Sequence, residues 1–147
     1  MSVVRLIASA TLLLAAAASQ AQNFKTVGSA PVILYDLPSI EGAKLFVAPR
    51  GMPLEVILTY GAWVKVGDVD GDLAWTQARG LSNKRQVVVR RSGLKVRATP
   101  EEDASIGFIA EKGTFLEVFD AIASGWIKVR FQDGQSGYLK SADIWGN

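Results

Sequence analysis

FVAPRGMPLEV (46–56) and FIAEKGTFLEV (108–118) are one stretch written twice, 62 residues apart. Six of the eleven positions are identical: Phe46/Phe108, Ala48/Ala110, Gly51/Gly113, Leu54/Leu116, Glu55/Glu117 and Val56/Val118. The match runs outward in both directions. Downstream, WVKV (63–66) meets WIKV (126–129) at an offset of 63, DGDLAWT (70–76) meets DGQSGYL (133–139), and Leu81 meets Ile144. Upstream, LYDLP (34–38) falls on VRATP (96–100), with Pro38 on Pro100. One gap of a single residue covers the comparison, so the chain is two copies of a module of about sixty residues.

Each copy reads as β structure. LEVIL and FLEVF alternate core-type and other residues with period two, as half-buried strands do. Gly51 and Gly113 precede these strands where a tight turn is expected. After WVKV and WIKV come Asp70-Gly71 and Asp133-Gly134, a hairpin signal because those residues tolerate positive φ. No stretch after the N-terminal segment carries an amphipathic helical pattern. Five short strands per copy, separated by polar turns, point to an all-β chain of two small barrels. Modules of this size are marginal alone, so the two are expected to pack on each other or to share the strand Val87–Val89 in the joining segment SNKRQVVVR.

The chain has 147 residues, no cysteine and no histidine. MSVVR, the apolar run Leu6–Ala18 and the small residues Ser19 and Ala21 form the pattern of a secretory signal peptide. Its thirteen-residue apolar run falls short of the roughly twenty residues a bilayer span needs. Cleavage is expected after Ala21, giving a periplasmic or secreted protein without a stable membrane anchor. The expected division is 1–21 signal peptide, 22–82 first module and 83–147 second module, with 83–91 as linker or strand. Residues 22–82 carry 5 basic and 6 acidic residues, and residues 83–147 carry 10 and 8. That balance argues against nucleic acid as a partner, since phosphate binding wants a concentrated basic face.

The aspartates of GAWVKVGDVDGDLAW (61–75) invite a metal-loop reading. A calcium loop of the EF-hand kind closes on a carboxylate at its twelfth position, and Arg79 stands there. The second copy keeps only Asp133-Gly134, so the shared feature is the turn; no metal site and no cofactor is expected. The tryptophans are the better lead. If Val64/Val66 and Ile127/Val129 face the core, alternation sends Trp63, Lys65, Trp126 and Lys128 to the opposite face. Outward aromatics are candidate contact platforms.

The second copy, LKVRATPEEDASIGFIAEKGTFLEVFDAIASGWIKVRFQDGQSGYLKSADI (94–144), resembles the bacterial SH3-like (SH3b) family. The resemblance rests on Val96-Arg97 with Pro100, the FIAEKGTFLEV run, GWIKV and DGQSGYL. The first copy is similar, especially in DLAWTQARGLSNKRQVVV (72–89), and the tandem arrangement resembles that of exported proteobacterial proteins. The resemblance implies five-stranded, partly open barrels acting as binding modules, whose relatives often hold wall hydrolases to the peptide part of peptidoglycan. ILYDLP (33–38) is similar to the ALYDY segment of eukaryotic SH3 domains. Of their polyproline groove, however, only Tyr35, Trp63 and Trp126 correspond.

The expected function is therefore a non-catalytic binding module whose ligand is a cell-wall peptide or an envelope protein partner. The alternative is a structural or protein–protein adaptor without a small ligand. The candidate ligand-binding residues are Trp126, Lys128, Tyr138 and Glu102 in the second copy, and Tyr35, Tyr60, Trp63 and Trp75 in the first. The groove beside Trp126 is expected between the 99–105 and 120–125 loops. An enzyme would have to work with carboxylate pairs such as Glu55 with Asp36 or Glu117 with Glu102. Without histidine or cysteine, and with no second carboxylate recurring beside Glu55 and Glu117, no catalytic site is expected.

Overall fold

A computed structural model describes residues 23–122 and 124–147. The expected cleavage site after Ala21 lies outside the described residues. The first copy holds β1 (Phe24–Val27), β2 (Val32–Tyr35), β3 (Lys44–Ala48), β4 (Pro53–Tyr60), β5 (Trp63–Gly67), β6 (Leu73–Gln77) and β7 (Leu81–Ser82). The second holds β8 (Gln86–Val89), β9 (Leu94–Arg97), β10 (Ile106–Ala110), β11 (Phe115–Ile122), β12 (Trp126–Arg130), β13 (Ser136–Lys140) and β14 (Ile144–Trp145). A single 3-10 turn precedes the last strand of each copy, Ala78–Gly80 and Ser141–Asp143. Strand order is β3-β2-β6-β5-β4-β1-β7 in one sheet and β10-β9-β13-β12-β11-β8-β14 in the other, so the internal repeat is repeated in space.

Each sheet has seven strands among the described residues, not the five expected from sequence. The addition comes from β1 and β8 and from the two-residue strands that close onto them, β7 on β1 and β14 on β8. Val87–Val89 pairs with β11 and β14 of its own sheet, so it is not shared between the barrels. Its three valines are all buried. A strand buried on both faces shows no alternation, which hides it from a period-two reading.

Each copy has its own core. Val27, Leu34, Leu54, Val64 and Val66 lead one cluster, and Val87, Val96, Leu116, Ile127 and Val129 lead the other. The alternation of LEVIL breaks inside β4. Leu54 is buried and Val56 packs against the core, yet Leu58 is 45 % exposed. A register shift between Val56 and Leu58 inserts one extra residue, and the same shift recurs between Val118 and Asp120. This bulge reverses the inside–outside phase of the strand beyond it.

The two copies also touch. Phe24 meets the Trp145 ring edge to face at a centroid distance of 5.0 Å, and the Thr26 hydroxyl donates to the Lys84 carbonyl at 2.6 Å. Val88 belongs to neither core cluster but is buried, and its register partner is Trp145. At Gly146, φ is +113°, and a Cβ there would come within 2.9 Å of Pro53 Cβ and 3.0 Å of the Gln86 carbonyl oxygen. The chain can therefore turn from the second barrel against the first only with glycine at this point.

Candidate ligand grooves

The Asp-Gly hairpins form as turns. In the first copy the Asp68 carboxylate accepts from the backbone N–H groups of Asp70 and Asp72, both at 2.9 Å. In the second, Asp133 accepts from Gln135 N–H at 2.9 Å. Gly71 and Gly134 supply φ of +84° and +92°. Asp68 thus spends its carboxylate holding the turn. Among the described residues no group of three or more acidic side chains is placed to hold a metal ion.

These hairpins carry the outward aromatics. Val64, Val66, Ile127 and Val129 are buried, while Trp63, Lys65, Trp126 and Lys128 sit half-buried on the other face. Across β12–β13, Trp126 lies opposite Lys140, and Lys128 opposite Tyr138. The Lys140 ammonium is 5.8 Å from the Trp126 ring centroid and the Lys128 ammonium 5.9 Å from that of Tyr138, both within cation–π range. Lys140 also pairs with Glu102, from the loop after β9. The Lys140 hydrogen bond, then its charge, and to a lesser extent the charge of Arg97 hold the Glu102 carboxyl below its ordinary pKa.

Beside Trp126 opens a groove of about 500 Å³, lined by Arg91, Lys95, Arg97, Glu102, Lys140 and Asp143. Of the two loops expected to bound it, Glu102 brings in the 99–105 loop. The described lining also includes the 91–97 segment, Lys140 and Asp143, while the other expected boundary, the 120–125 loop, contains residue 123, which lies outside the described residues. The Arg97 guanidinium ties the 99–105 loop to β9 by donating to the Ala104 carbonyl oxygen at 3.0 Å. Arg91 pairs with Asp143 at 3.1 Å. With Glu102 taken by Lys140, this leaves Lys95 and Arg97 outside any ion pair among the described residues.

In the first barrel Tyr35 stands edge-on to Trp63, centroids 5.5 Å apart. Tyr35 lies opposite Trp75, which lies opposite Lys65 on its other side. Tyr60 is opposite Trp63 and 67 % exposed. Here too a groove opens, of about 710 Å³, and its lining includes Ile33, Tyr35, Ile40, Gln77 and Arg79.

Of the eight residues singled out from sequence, Trp126 and Glu102 line the second groove and Tyr35 the first. Lys128 and Tyr138 stack in the adjoining row of the same face. Trp63 backs Tyr35, and Trp75 and Tyr60 flank it. Sequence reasoning passed over Lys95, Arg97 and Lys140. Arg97 and Lys140 were within reach, because alternation along LKVR and SGYLK turns them away from the buried Val96 and Leu139.

Glu117, weighed above as a catalytic carboxylate, is paired with Arg130 at 3.0 Å and Lys84 at 3.7 Å. The Arg130 hydrogen bond above all holds its carboxyl below the ordinary pKa; burial opposes it, and the charges of Lys84 and Arg130 add to the lowering. A carboxyl kept ionised in this way is poorly set up to act as a general acid.

A barrel pair of this strand order, with an aromatic residue lining a groove on each copy, defines a tandem small-barrel protein by its architecture. The sequence profile of the bacterial SH3 domain matches residues 28–83 and, in a second form, residues 92–144. The chain belongs to the bacterial SH3 domain family, present as two tandem copies. Among curated proteins, none matches the chain. The chain is also similar to two solved structures from Trichomonas vaginalis: NlpC2 (TM-score 0.40, 10 % identity, 87 % of this chain and 49 % of that one) and NlpC1 (TM-score 0.40, 10 % identity, 90 % and 49 %). The chain spans about half the length of those structures.

Proposed function

We propose that this protein is a non-catalytic binding module of the cell envelope, exported by its N-terminal segment, that holds a cell-wall peptide in the groove beside Trp126. The observation that carries the reading is that groove. An indole flanks a cleft in which Lys95 and Arg97 are outside any ion pair among the described residues. Such a cleft suits a peptide that offers an apolar or backbone face to the ring and a carboxylate to the cations. Family membership supports a binding role, because bacterial SH3 domains are binding modules.

The test is sedimentation of the purified mature protein with insoluble peptidoglycan, with Trp126→Ala alongside. Retention of the wild type and release of the variant are expected. Equal retention of both would remove Trp126 from the site, and release of both would remove the wall as ligand. N-terminal mass spectrometry of protein recovered from the envelope should begin at Gln22; a chain that still begins at Met1 contradicts export with cleavage.

A further inference from the structure

The two grooves are the same place in the repeat. Applying the offsets of 62 and 63, Ser29, Ile33, Tyr35, Ile40, Gln77 and Gly80 of the first fall on Arg91, Lys95, Arg97, Glu102, Lys140 and Asp143 of the second. The strand register confirms the superposition. Tyr35 pairs with Trp75 as Arg97 pairs with Tyr138, and Trp63 pairs with Gln77 as Trp126 pairs with Lys140. At these six of the nine lining positions the grooves share, a neutral residue stands where the second groove has a charged one; the other three, Ala30/Ser92, Pro31/Gly93 and Val32/Leu94, are uncharged in both. The strand framework and the tryptophan position are kept, while two thirds of the shared lining positions have changed from uncharged to charged.

We propose that the two grooves have diverged in specificity, so that the second alone takes a carboxylate-bearing peptide, through Lys95, Arg97 and Lys140; this rests on the reading of the Trp126 groove as a peptide site. A carboxylate placed against Ile33, Tyr35 and Ile40 loses water without gaining a cation, which is unfavourable. In the second groove it meets Lys95 and Arg97 without having to break an ion pair first. Arg97 uses one guanidinium N–H on the Ala104 carbonyl, of the five the side chain carries. The first groove does contain one cation, Arg79, whose Nε–H donates to the Gln77 side chain at 2.9 Å. Its counterpart in the second copy is Ala142, so Arg79 is not part of the shared framework.

The experiment is calorimetric titration at low salt with two probes, a synthetic wall-type tetrapeptide with free carboxylates and its fully amidated form. Wild type is expected to bind one acid peptide per chain, to bind the amide roughly tenfold or more weakly for each charged hydrogen bond lost, and to lose affinity as salt is raised. Lys95→Ile with Arg97→Tyr and Lys140→Gln, which puts the first groove's residues in place of the three cations, should bind acid and amide alike, with its fold checked by circular dichroism. Arg79→Ala should leave acid binding unchanged. Ile33→Lys with Gln77→Lys, which keeps the Tyr35–Trp63 contact, should raise the stoichiometry to two acid peptides per chain. Equal binding of acid and amide by wild type overturns the inference but leaves the groove reading standing. So does binding of two acid peptides per wild-type chain, or a stoichiometry still at one in the Ile33/Gln77 variant. Failure of both probes to bind any form of the protein overturns both.

Discussion

Gly137→Ala tests how closely the strands under the second groove approach. Gly137 lies in β13 beside β9, and a Cβ there would stand 2.6 Å from Val96 Cγ1 and 2.7 Å from the Arg97 carbonyl oxygen. Neither neighbour gives way cheaply, because Val96 is fully buried and the other atom is backbone. The first barrel makes the comparison within the same molecule. Its counterpart is Ala74, 8 % exposed, where Leu34 replaces Val96 and no branched methyl stands at Cβ. Overpacking of this kind costs about 1–3 kcal/mol, which for a domain of about sixty residues lowers the melting temperature by roughly 4–20 °C. β9 should also move away from β13, and Arg97 with it, so ligand affinity should fall together with stability. Thermal unfolding followed by tryptophan fluorescence measures the first effect, and titration well below the melting point measures the second. Ala74→Gly is the control and should cost about 1–2 kcal/mol, from backbone freedom and the loss of one buried methyl. A Gly137→Ala protein within about 0.5 kcal/mol of wild type would refute the close approach.

A double-mutant cycle on Phe24→Ala and Trp145→Ala should return a coupling of about 0.5–1.5 kcal/mol from the edge-to-face pair; zero coupling would mean the barrels do not meet there in solution. Glu117→Gln probes acid stability. Because Arg130 and Lys84 lower the pKa of Glu117 in the folded state, its contribution is present above the unfolded carboxyl value and is lost as pH falls through the folded one. Stability of the wild type should therefore drop below about pH 4.3 more steeply than that of the variant, the two differing near neutral pH by about 1 kcal/mol or less. Urea midpoints across pH 2–7 report this, and parallel curves would exclude the pairing. Asp68→Ala removes the acceptor of two turn N–H groups and should cost about 1 kcal/mol. Asp70→Asn should cost almost nothing, and a calcium titration monitored by melting temperature should show no shift for either protein.

The repeat made most of the fold legible. Leu54/Leu116, Val66/Val129 and the Asp-Gly turns recur at fixed offsets, and each lies where period-two alternation and turn chemistry place it. Three features escaped for different physical reasons. QVVV is buried on both faces, so it carries no alternation, and it read as linker or as a strand shared between the modules rather than as a strand of the second sheet alone. Ile57 and Phe119 are bulge residues, and a register shift of one cannot be seen in a run of apolar side chains. The groove lining was missed because Arg97 and Lys140 look like ordinary outward charges until β9 and β13 bring them to the tryptophan. Trp126 and Glu102 were legible, the first as an outward aromatic and the second as part of an acidic loop. What Glu102 does in the structure, pairing with Lys140, depends on a contact 38 residues away.

The most direct measurement is two-dimensional amide and indole NMR of the isotope-labelled protein during titration with the acid tetrapeptide. The account predicts that the largest shifts fall on the Trp126 indole and on the Lys95, Arg97 and Lys140 amides, with the Tyr35 and Gln77 amides unmoved. Shifts centred on the first groove or on the Phe24–Trp145 junction, with Trp126 silent, would contradict it.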